Sequence, residues 1–200
     1  MTAVDPRSPG GADDPNAVIA ERLPLRIRPC RRSDARAFVA EHHSHHRRKT
    51  QAADVFRLSA FVGEHRVAVA IMTEAVAPSD TGSDVWEVSR LCCGPAAPKY
   101  TASRLLGACG RVMDAAGVRL GISYTRVDER GSCYLAANWI PVGLTVGRQH
   151  DTGNRDRAWL PGFYEPSTEI IDRVRWERGS EAHPVGAYWN PEHSRWVSLP

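Results

Sequence analysis

The segment from Val85 to Val127 constrains the fold more than any other part of the chain, because it reads as strand, helix, strand. VWEVSRLCC is strand-like, and VRLGISYTRV is a largely apolar run of the kind buried inside a sheet. Between them Leu105, Leu106, Cys109, Val112, Met113 and Ala116 recur at helical spacing and make one inward face, which Gly117 brings to a stop. One strand-helix-strand crossover is the result, so part of the protein must be a sheet covered by helix.

The flanking segments extend that sheet. In LPLRIRPC, Leu25 and Ile27 alternate with Arg26 and Arg28, the period of a half-buried strand, and Pro29 ends it. Ser33 is placed to cap a helix whose inward positions are Ala35, Phe38 and Val39, with His42 on the same stripe. VFRLSAFVG and RVAVAIMTEAV form adjacent antiparallel strands with a hairpin turn at Gly63, Glu64 and His65, and the loop APSDTGSD follows. After the crossover come a short helix over 132–138, a strand IPVGLTVG, a possible edge strand RVRWERG, and a final twenty residues read as loop. The opening MTAVDPRSPGGADDPNAV is rich in Pro, Gly and Asp and cannot recover the entropy cost of ordering. The expected division is a disordered tail at 1–20, a domain over 21–180 and a C-terminal extension at 181–200. The fold class is α/β (α+β), with a mixed and mostly antiparallel central sheet.

Composition narrows the setting. With 200 residues and 42% hydrophobic content the chain buries one core. No apolar run approaches the roughly 20 residues that span a bilayer, so a soluble, cytoplasmic protein is expected. The cysteine count is odd, at five, with no pair of CxxC motifs, which fits reduced thiols. A formal charge of +3 permits an anionic partner without implying one.

Five places carry candidate chemistry. The loop GPAAPKYTAS offers Lys99, the hydroxyls of Thr101 and Ser103, and free backbone amides at a helix start, which together suit an anion; the same features equally describe a plain helix cap. Arg90 lies on a strand, where a buried guanidinium is costly without a partner, so it marks a site unless Glu87 or Asp84 neutralises it. Tyr134, in GSCYLAANW, is a phenol on a short helix, either a proton donor or a core residue. Finally, HHSHHRRK sets His42 and His46 four apart on one helical face, but this is not HExxH and leaves a metal site one ligand short. A metal ion is therefore a possible but not favoured cofactor, and His42 better suits a general base or a structural histidine. Arg47, Arg48 and Lys49 are the densest short cation run, fit for phosphate contact with DNA or for a solvated basic face. Arg155, Arg157, Trp159, Phe163 and Tyr164 suit either stacking of an unpaired base or packing of a C-terminal lid.

The element order, the GPAAPKYTAS loop and the tyrosine before Asn138 and Trp139 resemble the acyl-CoA-dependent N-acetyltransferase superfamily called GNAT. The usual Gln/Arg-x-x-Gly-x-Gly/Ala loop of that superfamily is absent. More specifically, His42-His43-Ser44, Ser89-Arg90-Leu91, the run Pro98 to Arg104, and Gly131 to Trp139 resemble, in order and approximate spacing, the phage Mom family, GNAT-like proteins that modify adenine in DNA. His43 stands where that pattern has tyrosine, and Lys99 where it has arginine. A group of small GNAT-like proteins of bacteria and mobile elements is similar again, through EVSRLC and through Arg175, Trp176 and Glu177 near the end. These resemblances imply a donor, acetyl-CoA or another acyl-CoA, contacted by Leu91, Cys92, Lys99, Tyr100, Thr101, Ala102 and Ser103. They also imply catalytic roles: His42 assisting deprotonation, Arg90 and Ser103 positioning the donor, and Tyr134 as acid. The expected function is N-acyl transfer to an amine, with a nucleobase as preferred acceptor and a small-molecule or protein amine as alternatives. Two other readings stand beside it, a GNAT-fold module that binds nucleic acid without catalysis and a metal-dependent transferase using the histidines.

Overall fold

The computed structural model describes residues 24–42, 54–75, 82–146 and 172–199. Strand β1 (Leu25–Pro29) is followed by helix α1 (Arg32–His42), the hairpin β2 (Asp54–Val62) and β3 (His65–Glu74), and β4 (Val85–Cys93). The crossover helix α2 (Thr101–Ala115) leads to β5 (Leu120–Arg126), the short helix α3 (Ser132–Leu135) and β6 (Ile140–Thr145). Strand β7 (Arg173–Gly179) and a separate hairpin, β8 (Ala187–Asn190) with β9 (Arg195–Ser198), complete the described chain. Seven strands form one sheet in the order β1-β2-β3-β4-β5-β7-β6. Every neighbouring pair is antiparallel except β4 and β5, which the α2 crossover makes parallel. This is the mixed, mostly antiparallel sheet flanked by helices that the sequence implies.

Alternation along each strand sorts side chains onto two covered faces. On one face Leu58, Ala60, Ala68, Ala70, Met72 and Val88 pack with Leu105, Leu106, Cys109 and Met113 of α2 and with Tyr134, Trp139 and Trp176. On the other, Val69, Ile71 and Cys92 pack against Ala35, Phe38 and Val39 of α1. The apolar spacing of each helix therefore selects which side of the sheet it covers.

Several expectations are corrected. Ser33 lies inside the first turn of α1, and its hydroxyl bonds Asp34 Oδ1 at 3.2 Å instead of capping the helix. Ala116 falls just past α2 and is exposed, because Gly117, at φ 72°, already turns the chain away from the sheet. The helix expected over 132–138 ends at Leu135, and Asn138 adopts φ 60° to redirect the backbone into β6. Strand β7 is not at an edge but lies between β5 and β6, with Val174, Trp176 and Glu177 fully buried. The last twenty residues are not all loop: β8 and β9 form a hairpin whose Ala187 and Trp196 join the main core. The tail at 1–20 lies outside the described residues.

Trp176 fixes how closely α3 can approach the sheet. Gly131, which precedes α3, has φ 62°, and a Cβ there would stand 2.3 Å from Trp176 Cζ2. Gly131→Ala is therefore expected to cost roughly 1–3 kcal/mol, from backbone strain and displacement of the indole. Urea denaturation of the two proteins measures it.

Candidate active site

The two parallel strands stay together only briefly. Pairing of β4 with β5 is confined to Val85 with Leu120, Trp86 with Gly121 and Glu87 with Ile122, after which the strands diverge into a fork. A register shift contributes to the divergence: Met72 pairs with Val88 but Ile71 pairs with Arg90, so Ser89 is an extra residue that bends β4. The Val88 carbonyl, left without a ladder partner on the β5 side, accepts instead from Ser123 Oγ at 3.0 Å. Ser123 in turn lies 2.9 Å from the Tyr134 hydroxyl. Since the serine proton goes to Val88, the phenol donates to Ser123, and two hydroxyls bridge the apex of the fork.

Tyr134 is held on all sides. Its ring stacks on Trp176 at 5.0 Å and 18° and meets Trp139 edge-on at 5.9 Å. Burial pushes its hydroxyl well above the usual phenol range, more than the bond with Ser123 lowers it. The side chain is thus both a core element and a proton-bearing group that reaches the fork through Ser123.

Helix α2 begins directly beyond the end of β4. Tyr100 precedes it at φ 66° and is largely exposed, as is Lys99. Thr101 Oγ1 donates to Pro98 O at 2.7 Å and Ser103 Oγ to Tyr100 O at 3.0 Å, so both hydroxyls close the turn instead of pointing donors at a ligand. The amides of Ala102 and Ser103 have no carbonyl acceptor among the described residues. They are the open donors of a helix start, with Lys99 beside them. Leu91 is half-buried on β4, and Cys92 is buried in the α1 layer with its thiol pushed up to about 11 by that burial.

Arg90 faces the α1 side, because it pairs directly with Ile71. One of its terminal nitrogens donates to Ser89 O, while its Nε is buried with no hydrogen-bond partner. Burial and the nearby charge of Arg173 pull the guanidinium below its ordinary range, and Glu87 opposes them. His42 ends α1 with its ring 4.4 Å from that of Phe38. A Cβ on Gly94 would meet Phe38 and His42 Cδ2 at 3.2 and 3.6 Å, so His42 stands where β4 runs out towards α2.

A further polar cluster occupies the same face. Residues directly opposite in register share a face, which carries that face from Ile71 and Thr73 through Glu87 and Ile122 to Glu177, and one step along to Tyr124 and Arg175. Glu177 Oε1 accepts from Arg175 Nε at 2.6 Å, and Oε2 takes both the backbone N–H and Nδ1 of His183 at 2.8 Å. Burial raises the Glu177 carboxyl, but the bonds from His183 and Arg175 outweigh it and hold the group below the usual carboxylate range. Arg175 Nη1 also donates to the Tyr124 hydroxyl at 3.1 Å. Arg175, Glu177 and His183 line a cleft of about 460 Å³ with Val142 to Thr145 of β6 and Pro184 to Gly186.

Ser123 and His183 are absent from the sequence reading. Ser123 had one visible signal, a lone hydroxyl within an apolar strand, whereas His183 has no periodicity around it. Of HHSHHRRK only His42 is described. His43, His45, His46, Arg47, Arg48 and Lys49 lie outside the described residues, as do Arg155, Arg157, Trp159, Phe163 and Tyr164. Among the described residues no three His, Cys, Asp or Glu side chains gather in a metal-binding group, and no helix is long and apolar enough to cross a membrane.

The fold as a whole has parallels in solved structures. The chain is similar to an N-acetyltransferase from Staphylococcus aureus Mu50, with a TM-score of 0.55 at 13% identity over 78% of this chain and 98% of that one. It is also similar to the ribosomal-protein-S18-alanine N-acetyltransferase of Escherichia coli, with a TM-score of 0.53 at 12% identity over 80% and 99%. An acetyltransferase from Bacillus subtilis, solved in complex with CoA, gives a TM-score of 0.50 at 13% identity over 78% and 99%. A search of curated protein sequences finds no match. These likenesses show a GNAT fold, and residues 24–157 match the Mom protein family. The chain belongs to the Mom protein family, carried on a GNAT acetyltransferase fold.

Proposed function

We propose that the protein is an N-acyltransferase that takes an acyl group from a coenzyme A thioester and passes it to an amine, the exocyclic amine of a DNA base. The observation that carries this reading is the fork between β4 and β5, open beyond Glu87 and Ile122, with the unpaired amides of Ala102 and Ser103 and the side chain of Lys99 at the α2 start. These groups fit a diphosphate, since a helix start presents N–H donors and partial positive charge together. An acyl-CoA bound there supplies a thioester carbonyl as the electrophile.

Leu91, Cys92 and the 99–103 segment suit the donor, while Arg90 and His42 suit the acceptor side beneath α1. Ser123 and Tyr134 form a two-hydroxyl relay at the apex, from which a proton passes to the departing sulfur through Ser123 and is replaced from Tyr134. Arg90 Nε, buried and unbonded, is a donor for an oxygen entering the fork. A nucleobase acceptor is favoured by membership of the Mom family and by the motif pattern from His42 to Trp139. The cation run Arg47 to Lys49 suits contact with DNA phosphates.

The test is mass spectrometry of nucleosides from host DNA after expression of the full chain. A base heavier by the acyl group is the expected result. Unmodified nucleosides alongside acetyl-CoA consumption would move the acceptor to a small-molecule or protein amine.

A further inference from the structure

Resting on the acyl-transfer reading above, we propose that the cleft bounded by β6, β7 and residues 183–186 receives the acceptor amine, and that His183, oriented by Glu177, takes the proton this amine loses. The cleft has the size of a site for one small organic group, about 460 Å³. Its wall is apolar at Val142, Leu144 and Val185, and its polar groups converge from Arg175, Glu177 and His183.

Glu177 is completely buried and spends both oxygens within the protein. An ionised carboxylate only accepts, so His183 Nδ1 carries the proton that points at Oε2, and the lone pair is left on Nε2. The His183 side chain is 69% exposed and lines the cleft, and nothing among the described residues bonds Nε2. Burying a carboxylate is costly, and fixing the tautomer of a surface imidazole is of little use to folding. It is of direct use to a proton acceptor. By contrast, the carboxylate beside His42 among the described residues is Glu41, at 3.7 Å and on a side chain that is 73% exposed.

The cluster is tied to the fork. Tyr124 follows Ser123 on β5 but points to the opposite, α1 face, where it bonds Arg175, and Arg175 bonds Glu177, so the imidazole is linked to the strand that carries the apex hydroxyl. Strand β7 and His183 lie beyond residues 24–157, outside the part of the chain that matches the Mom family. Among the described residues the groups that face His183 are Glu177 and Arg175 on β7, with Tyr124 on β5 behind Arg175, and the β6 wall and Pro184 to Gly186 carry no ionisable side chain.

The step balances. The amine nitrogen attacks the acyl carbon, the C–N bond forms as the C–S bond breaks, the nitrogen proton passes to Nε2, and the sulfur takes a proton from the Ser123 and Tyr134 relay. The resulting imidazolium is countered by Glu177. An exocyclic base amine is uncharged at neutral pH, so its proton leaves only as the C–N bond forms, and a positioned acceptor acts in that same step.

The experiment measures thiol release from acetyl-CoA by the full chain across pH, with single-stranded oligodeoxyadenylate and, in parallel, benzylamine as acceptors. His183→Gln, a change on an exposed side chain, is expected to lower turnover roughly 100-fold at neutral pH. It is also expected to flatten the rising limb of the pH profile while the acetyl-CoA Kd stays within about twofold. Glu177 is a positioning residue, and Glu177→Gln is expected to move that limb without loss of acetyl-CoA binding. A His183→Gln protein with wild-type rate and profile would overturn the proposal, as would a limb that His183→Gln keeps and His42→Gln abolishes. If wild type accepts benzylamine but not the oligonucleotide, the nucleobase reading fails while His183 is still judged on benzylamine. Thiol release with neither amine, although acetyl-CoA binds, removes the acceptor role of the cleft.

Discussion

Replacing Trp176 with alanine is expected to lower the folding free energy by about 3–5 kcal/mol, the range for deleting a large buried aromatic side chain. Trp176 is fully buried at the centre of the α2 face, and three elements rest on it. Tyr134 of α3 stacks on the indole at 5.0 Å, and Trp196 of β9 meets it edge-on at 5.1 Å. Its Nε1 donates to Thr125 Oγ1 at 2.9 Å, so truncation also leaves a buried hydroxyl without its donor. Urea unfolding of wild type and Trp176→Ala measures the loss. Because typical domains are stable by about 5–15 kcal/mol, a change of this size takes much of the total. A loss below about 1 kcal/mol would mean that α3 and the C-terminal hairpin do not depend on this side chain for their packing.

Tyr134→Phe is expected to reduce turnover by roughly 100-fold and leave acetyl-CoA affinity nearly unchanged, because the phenol acts on the leaving sulfur and not on the bound ground state. The ring and its stack on Trp176 are retained in phenylalanine, so the fold loses one buried hydrogen bond, worth about 1 kcal/mol. The relay makes a sharper demand. Ser123 stands between Tyr134 and the fork, at 2.9 Å from the phenol and 3.0 Å from Val88 O. Ser123→Ala should therefore cost about as much as Tyr134→Phe, and the double variant little more than either, as for residues that act as one unit. Independent, multiplying losses in thiol release would mean that the two hydroxyls do not share a proton path.

The crossover from Val85 to Val127 was legible because both strands and the face of α2 are written in local periodicity. The position of β7 was not. Along RVRWERG, Arg173, Arg175 and Glu177 alternate with Val174 and Trp176, the pattern of a strand with one wet face. In the folded chain Glu177 on that face is buried all the same, because His183 and Arg175 supply its partners and Tyr124 holds Arg175, and His183 and Tyr124 lie in irregular backbone or far along the sequence. Which strands flank β7 is decided by pairing across the sheet, which no window of sequence contains. Ser33 shows the same limit at short range: its residue type suits a cap, but backbone geometry starts α1 at Arg32, two residues before the Asp34 start that such a cap implies. In the candidate site, Tyr134 and the α2 start were visible as residue types in a pattern. Ser123 and His183 were not, since each acquires its meaning from one hydrogen-bond partner.

The central claim is that the fork and the start of α2 hold an acyl-CoA. Calorimetric titration of the full chain with acetyl-CoA tests it most directly, with pantetheine and a diphosphate-containing fragment in parallel. Saturable binding of one acetyl-CoA per chain is expected, with the diphosphate fragment retaining more affinity than pantetheine because the amides of Ala102 and Ser103 and the Lys99 side chain serve the diphosphate. Absence of heat from acetyl-CoA at millimolar concentration would contradict the account.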